Sequence, residues 1–246
     1  MTGEPPLETS PHLKALSQYR KFLERGHLDA CISDQYLSRY HTFSLALNFL
    51  KVFKSRPTII ELGTSRSFVD GMYPGCNESD SQWWEPENPE KWDWGAGLFS
   101  HVAAAELEDR LPIIHTVDIS EEHIRRSKII NERWKHLINF HVSDSVQFLK
   151  TFEGKADLIY LDTGDMTPIG EACELQLAEA QIVVARADAI LKPCSLILID
   201  DVRNKAAPAQ GYPPLGKSCW AIPHLLEAGF RIVMDEYQTL LMRSHW

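Results

Sequence analysis

Five short apolar runs in this chain carry or lead into carboxylates. TIIEL (58–62) contains Glu61 and precedes Gly63, Thr64 and Ser65, and IIHTV (113–117) precedes Asp118. LINFHV (137–142) precedes Ser143, Asp144 and Ser145; DLIYL (157–161) precedes Asp162, Thr163, Gly164 and Asp165; SLILI (195–199) precedes Asp200 and Asp201. One aspartate at such a junction needs no more than a helix cap or a turn to explain it. Five acidic strand ends on one rim call for a ligand. Adjacent carboxylates repel and raise one another's pKa unless a cation or donor compensates them. Asp200 and Asp201, with Asp162 beside them, therefore predict a divalent metal, and oxygen-only ligation favours Mg2+ over zinc.

Asp118 suits a different task. A carboxylate after the second strand can accept both ribose hydroxyls of an adenine nucleoside. It lies 55 residues after Gly63, and setting aside a 24-residue insertion at 72–95 leaves 31. In a dinucleotide-binding chain the same interval is about 20. The loop itself, GTSRS, also lacks the further glycines that a pyrophosphate needs.

The runs that present these residues read as strands, and helical segments separate them: AGLFSHVAAAELEDRL, SEEHIRRSKIINERW, SVQFLKTF and a long one over 170–191. Such alternation implies a parallel sheet with helices on both faces. FRIVMDEYQTLLMRS holds two strand-like runs too close together for a helical crossover, which predicts a terminal antiparallel hairpin. Residues 1–10 read as a loose tail, and two helices follow over 11–25 and 34–54. In the second, Tyr36, Tyr40, Phe43, Leu47 and Leu50 recur at helical spacing, with Ser33 or Asp34 placed to cap it. The chain thus divides into a helical N-terminal cap (1–54) and one α/β domain (55–246). The segment 72–95 breaks the alternation: it holds four of the seven tryptophans (Trp83, Trp84, Trp92, Trp94) among six acids and one lysine.

Composition narrows the function. A net charge of −9, with no basic run, argues against a nucleic-acid partner. Five scattered cysteines without a C-x-x-C pair read as reduced thiols, and none of the ten histidines falls in a zinc-binding pattern. No signal pattern or membrane-length apolar stretch is present in the sequence, so a cytoplasmic protein is expected.

In order and spacing, IIELGTS (59–65), HTVDIS (115–120), HVSDSVQFL (141–149), DLIYLD (157–162) and LKPCSLILIDDV (191–202) resemble the motifs of class I S-adenosylmethionine-dependent methyltransferases. The resemblance spans roughly 55–243. It implies a Rossmann-like, doubly wound, mostly parallel seven-stranded sheet with the terminal hairpin. It also implies S-adenosyl-L-methionine as cofactor, held by Glu61, Gly63, Thr64, Ser65, Asp118, Ile119, Asp144, Ser145 and Asp162. Glu61 would order the loop or reach the methionine amino group through water, and Asp144 would take the adenine amino group. Within that superfamily, LIYLD followed by LILIDDV is similar to metal-dependent O-methyltransferases of the catechol and macrolide-sugar types, which carries Mg2+ onto Asp162, Asp200 and Asp201.

Those relatives place a Lys or His base where this chain has Asp165, which leaves the base to Asp165, His41, His224 or Lys217. Helix packing also accounts for Tyr40 and His41, and a packing or surface role for His224. Arg66 and Arg203 lie near the expected rim, either to hold a carboxylate or to pair with the acids. The tryptophan-rich insertion reads as a lid whose acids and rings favour an aromatic or cationic small-molecule acceptor; otherwise it plugs a hydrophobic seam. The aromatic N-terminal helix offers a homodimer surface. The leading function is a Mg2+-assisted small-molecule O-methyltransferase. The alternatives are a metal-independent N- or C-methyltransferase, an NAD(P)-dependent oxidoreductase and a non-catalytic protein of the same fold.

Overall fold

The structure is a computed structural model that describes residues 16, 17, 20, 23, 39–64, 98–204 and 206–243. Ser65, Arg66, the expected caps Ser33 and Asp34, the insertion at 72–95 and most of the first expected helix lie outside those residues.

Seven strands form one sheet in the order β3-β2-β1-β4-β5-β7-β6. They are β1 (Thr58–Leu62), β2 (Ile113–Asp118), β3 (Ile138–Val142), β4 (Ala156–Leu161), β5 (Leu191–Ile199), β6 (Phe230–Asp235) and β7 (Thr239–Arg243). The first five are parallel; β7 runs antiparallel to β5 and to β6, as the tail sequence predicted. Every residue of β1 and β4 is buried, which is why these central strands read as mainly apolar runs, with Glu61 and Asp157 their only charged positions, rather than alternating ones.

Pleat parity divides the core. Ile59, Leu158, Tyr160, Leu196 and Leu198 face one layer; Ile60, Leu62, Ile159, Leu161, Ile197 and Ile199 face the other. The first layer is covered by α1 (Arg39–Phe53) and α2 (Leu98–Glu106), through Phe43, Leu47, Leu50, Phe99 and Val102. The ring of Tyr160 stands edge-on to Phe43 at 5.7 Å and lies 4.7 Å from Phe99. α3 (Glu121–Ile130), capped by Ser120, adds Ile130 to this layer. The second layer is covered by α4 (Ser145–Thr151), α5 (Ile169–Ala185) and α6 (Ala221–Glu227), through Leu149, Val183 and Leu225. The long helix expected over 170–191 ends at Ala185, and a separate turn, Ala187–Ile190, leads into β5. No helix among the described residues is long and apolar enough to cross a membrane.

Register sets the site. Leu62 pairs with Val117 and Leu161, and Leu161 with Ile199, so Gly63, Asp118, Asp162 and Asp200 emerge level at one edge. The strand order reverses between β1 and β4, where open α/β sheets form their crevice.

Candidate functional site

The crevice beyond β1, β2 and β4 is a cavity lined by Gly63, Asp118, Ile119, Asp144, Ser145 and Asp162, six of the nine residues expected at the cofactor. Gly63 has φ +86°, and a Cβ there would stand 2.4 Å from the carbonyl oxygen of Asp162. Both the turn and the close approach of the two strand ends require glycine. Asp118 accepts the backbone N–H of Thr64 at 3.1 Å and of Ser120 at 2.8 Å, and His123 Nδ1 lies 3.1 Å away. Its carboxylate is thereby fixed at the mouth. Asp144 caps α4 through the N–H of Gln147 at 2.8 Å, and Ile119 stands 75% exposed on the rim.

Glu61 and Thr64 do not line this cavity in the described structure. Glu61 shares the pleat parity of Ile59, so its side chain points beneath α2, where Ser100 and Thr116 donate to Oε2. It is fully buried, and Oε1 has no partner among the described residues. Burial raises its pKa to about 8. The expected reach toward a methionine amino group gives way to a core position that ties β1 to β2 and α2. Thr64 is buried as well; its hydroxyl donates to Ser127 at 2.9 Å and holds the loop on α3.

Two polar residues of this region were not singled out from the sequence. His123, in the first turn of α3, lines the cavity beside Asp118, and the Ser120 cap two residues after Asp118 was the signal that this turn faces the strand end. Glu179 of α5 lies buried beneath the cavity floor, accepting from Ser145 and, at 2.7 Å, from Thr163. Burial lifts its carboxyl to about 7. A glutamate inside a long helix carries no sequence signal of such a place.

The metal trio does converge: one oxygen from each of Asp162, Asp200 and Asp201 lies within 4.8 Å of the others. Its fit to Mg2+ fails, because the protein has filled its acceptors with donors. Arg39 donates Nε to Asp200 at 2.7 Å and Nη2 at 2.6 Å, and Nη2 reaches Asp201 at 3.0 Å. Lys217 Nζ lies 2.9 Å from Asp162 and 3.2 Å from Asp201. Gln238 donates to Asp200 at 3.0 Å, Tyr237 to Asp201 at 2.7 Å and Tyr160 to Asp162 at 3.3 Å. Burial would raise the Asp200 carboxyl, but Arg39 outweighs it and lowers the group to about 2. Asp162 goes the other way: burial and then the Asp200 charge push it well above the usual carboxylate range.

Of the expected bases, Lys217 is excluded by the same geometry. Burial disfavours its charge, but Asp162, Asp201 and Asp200 together hold the ammonium charged well beyond the ordinary lysine range. His224 sits in α6, which packs on α5, and does not line the cavity; its Nε2 is buried without a partner among the described residues. Asp165 is exposed and also off the cavity wall. His41 is 41% exposed, with Nδ1 3.0 Å from a Glu236 oxygen. Because β6 runs parallel to β5, Glu236 stands at the same carboxyl edge as the aspartates. Arg203 pairs with Asp235, the structural alternative foreseen for it.

No protein-family model and no curated protein matches the sequence. Solved structures match its fold. The SAH-bound methyltransferase PaMTH1 of Podospora anserina superposes with a TM-score of 0.53 at 16% identity, over 94% of this chain and 88% of that one. NSun6 of Pyrococcus horikoshii, solved with SFG, gives 0.51 at 10% identity over 82% of this chain, which spans only 52% of that structure. The chain has the seven-stranded, Rossmann-like fold of the S-adenosylmethionine-dependent methyltransferases.

Proposed function

We propose that the chain binds S-adenosyl-L-methionine in the strand-end cavity and methylates an oxygen of a small-molecule acceptor. One observation carries this reading: a single cavity at the sheet's switch point holds Asp118, fixed by two loop amides, together with Asp144 and the close-approach glycine Gly63. Asp118 would accept the ribose hydroxyls, Asp144 the adenine amino group, and Ile119 would cover the ring. The bound cofactor supplies an electrophilic methyl group on a sulfonium. Transfer of that group in line is governed mainly by positioning, which a rigid strand-end rim provides. We assign the acceptor's proton to His41, which lies off the cavity wall as His224 and Asp165 do but is part-exposed at the same carboxyl edge of the sheet and held by Glu236. Mg2+ assistance has no place in this reading, since the three aspartates already hold protein donors. An aromatic or cationic acceptor is an extension that rests on Trp83, Trp84, Trp92 and Trp94, outside the described residues.

Titration calorimetry with S-adenosylmethionine and, separately, NADH tests the assignment. The methionine cofactor is expected to bind and NADH to give no heat of binding. Loss of a charge-assisted acceptor costs about 1.5–3 kcal/mol, so Asp118→Ala should weaken binding by about tenfold or more. Binding of NADH alone would overturn the proposal.

A further inference from the structure

Between the ends of β4 and β5 the chain supplies its own cations. The Lys217 ammonium has three N–H groups and three acceptors: Asp162 at 2.9 Å, Asp201 at 3.2 Å and the carbonyl of Gly164 at 3.3 Å. It spans carboxylates from two neighbouring strands, as a bridging metal ion would. Lys217 is 1% exposed, so the ammonium cannot swing out to water while its segment stays in place. The segment is shaped for this insertion. Gly216 has φ +58°, and a Cβ there would fall 1.8 Å from the carbonyl oxygen of Asp201. Only glycine lets the backbone come close enough to deliver the next residue's ammonium between the strands. From the opposite layer Arg39 forks onto Asp200, a geometry that fits a carboxylate and leaves little for a second cation.

Charge reinforces geometry. Arg39 and Lys217 set two positive charges against the three carboxylates, and a divalent ion added among them would leave an excess of positive charge in a buried cluster. Removing an ion's hydration there costs several kcal/mol. No oxygen of the three stands vacant to repay it: Asp162 Oδ2, which neither cation reaches, accepts from Tyr160, and Tyr237 and Gln238 add donors to the Asp201 and Asp200 oxygens that Arg39 holds.

We infer that Lys217, supported by Arg39, is a resident cation standing where a divalent metal would bridge the strand-end aspartates, so that this rim excludes metal. The ammonium does permanently the neutralising work that adjacent Asp162, Asp200 and Asp201 demand. Of the three aspartates only Asp162 also lines the cavity, and the Lys217 bridge to it stands whatever the cavity holds, so the inference does not rest on the cofactor reading.

Mn2+ is the probe, followed by water-proton relaxation and by the unfolding temperature of the full chain. The wild-type protein should show no saturable Mn2+ binding and no Mn2+-dependent rise in unfolding temperature. Lys217→Met removes the charge and keeps most of the stem. It should unfold at lower temperature, gain Mn2+ affinity by about tenfold or more, and be stabilised by Mn2+ through linkage. Lys217→Arg should stay blind to Mn2+, and adding Asp201→Asn to Lys217→Met should remove the new affinity. Saturable Mn2+ binding by the wild type that Asp201→Asn abolishes would overturn the inference, and that measurement decides even if Lys217→Met does not fold. A folded Lys217→Met protein without Mn2+ affinity would overturn it equally.

Discussion

Glu61 and Gly63 lie two residues apart and do unrelated work. Gly63 was legible from the sequence, because a glycine directly after a buried strand announces a positive φ or a close approach, and the structure shows both. Glu61 was not. Its place in the motif resemblance points it at the cofactor, whereas the pleat turns it toward α2 and leaves it buried with a raised pKa. Parity along the strand decides, and it was available: Ile59 and Glu61 must share a face. Gly63→Ala tests the residue-level reading. The left-handed backbone alone costs an ordinary side chain about 1–2 kcal/mol, and the Cβ must also push Asp162 away. The variant is expected to lower the free energy of urea unfolding by about that amount or more. It should also lose most S-adenosylmethionine binding by calorimetry; binding at wild-type affinity would remove Gly63 from the site.

Element by element, β1 and β4 matched their apolar runs closely because burial on both faces leaves few alternatives, whereas β5 begins at Leu191, four residues before its run. The helix carrying Tyr40, Phe43, Leu47 and Leu50 was readable from its spacing. What it does at its Arg39 turn was not. Arg39 and Asp200 are 161 residues apart, and no local pattern links a helix-borne arginine to a fifth strand. Metal chemistry was inferred from the aspartates because their repulsion was visible and their partners were not. This long-range pair makes α1 part of the rim as well as a cover for the core. Arg39→Met should therefore destabilise the protein by about 3–5 kcal/mol, the usual consequence of leaving a buried carboxylate unpaired. Asp200→Asn in the same chain should recover part of that loss, since the uncompensated charge goes with it. Urea denaturation of the two singles and the double measures the coupling, and additive effects would show that the pair does not latch helix to sheet.

Across the whole molecule, buried titratable groups set a pH window for stability. His101 and His115 are held near 4, burial being the leading cause for each, and His141 is lowered too; His115 and His141 stack with a nitrogen–nitrogen distance of 3.0 Å. These rings are neutral in the fold, so the unfolded chain binds more protons below about pH 6.5, and stability falls as pH drops from there toward 4. Glu61 and Glu179 act in the opposite sense. Their folded pKa values, about 8 and about 7, lie above the ordinary 4.5, so the folded chain holds protons that the unfolded chain has lost. Their contribution is complete below 4.5 and disappears as pH rises through 7 and 8. Between 4.5 and 6.5 the histidines and glutamates oppose each other; above 6.5 the glutamates act with little opposition. Unfolding free energy should therefore be nearly level from about pH 5 to 6.5 and then decline by on the order of 1 kcal/mol per pH unit toward pH 8. Glu61→Gln keeps the shape of the side chain and removes one of the protons that the folded chain retains, beside those of Glu179 and Asp162, so its curve should cross above the wild type's in alkaline solution and fall less steeply. Urea titrations at a series of pH values measure this directly. A wild-type curve that stays level to pH 8 would mean that Glu61 reaches water or a cation in solution, and that the layer between β1 and α2 is less closed than the packing of Ser100 and Thr116 around it implies.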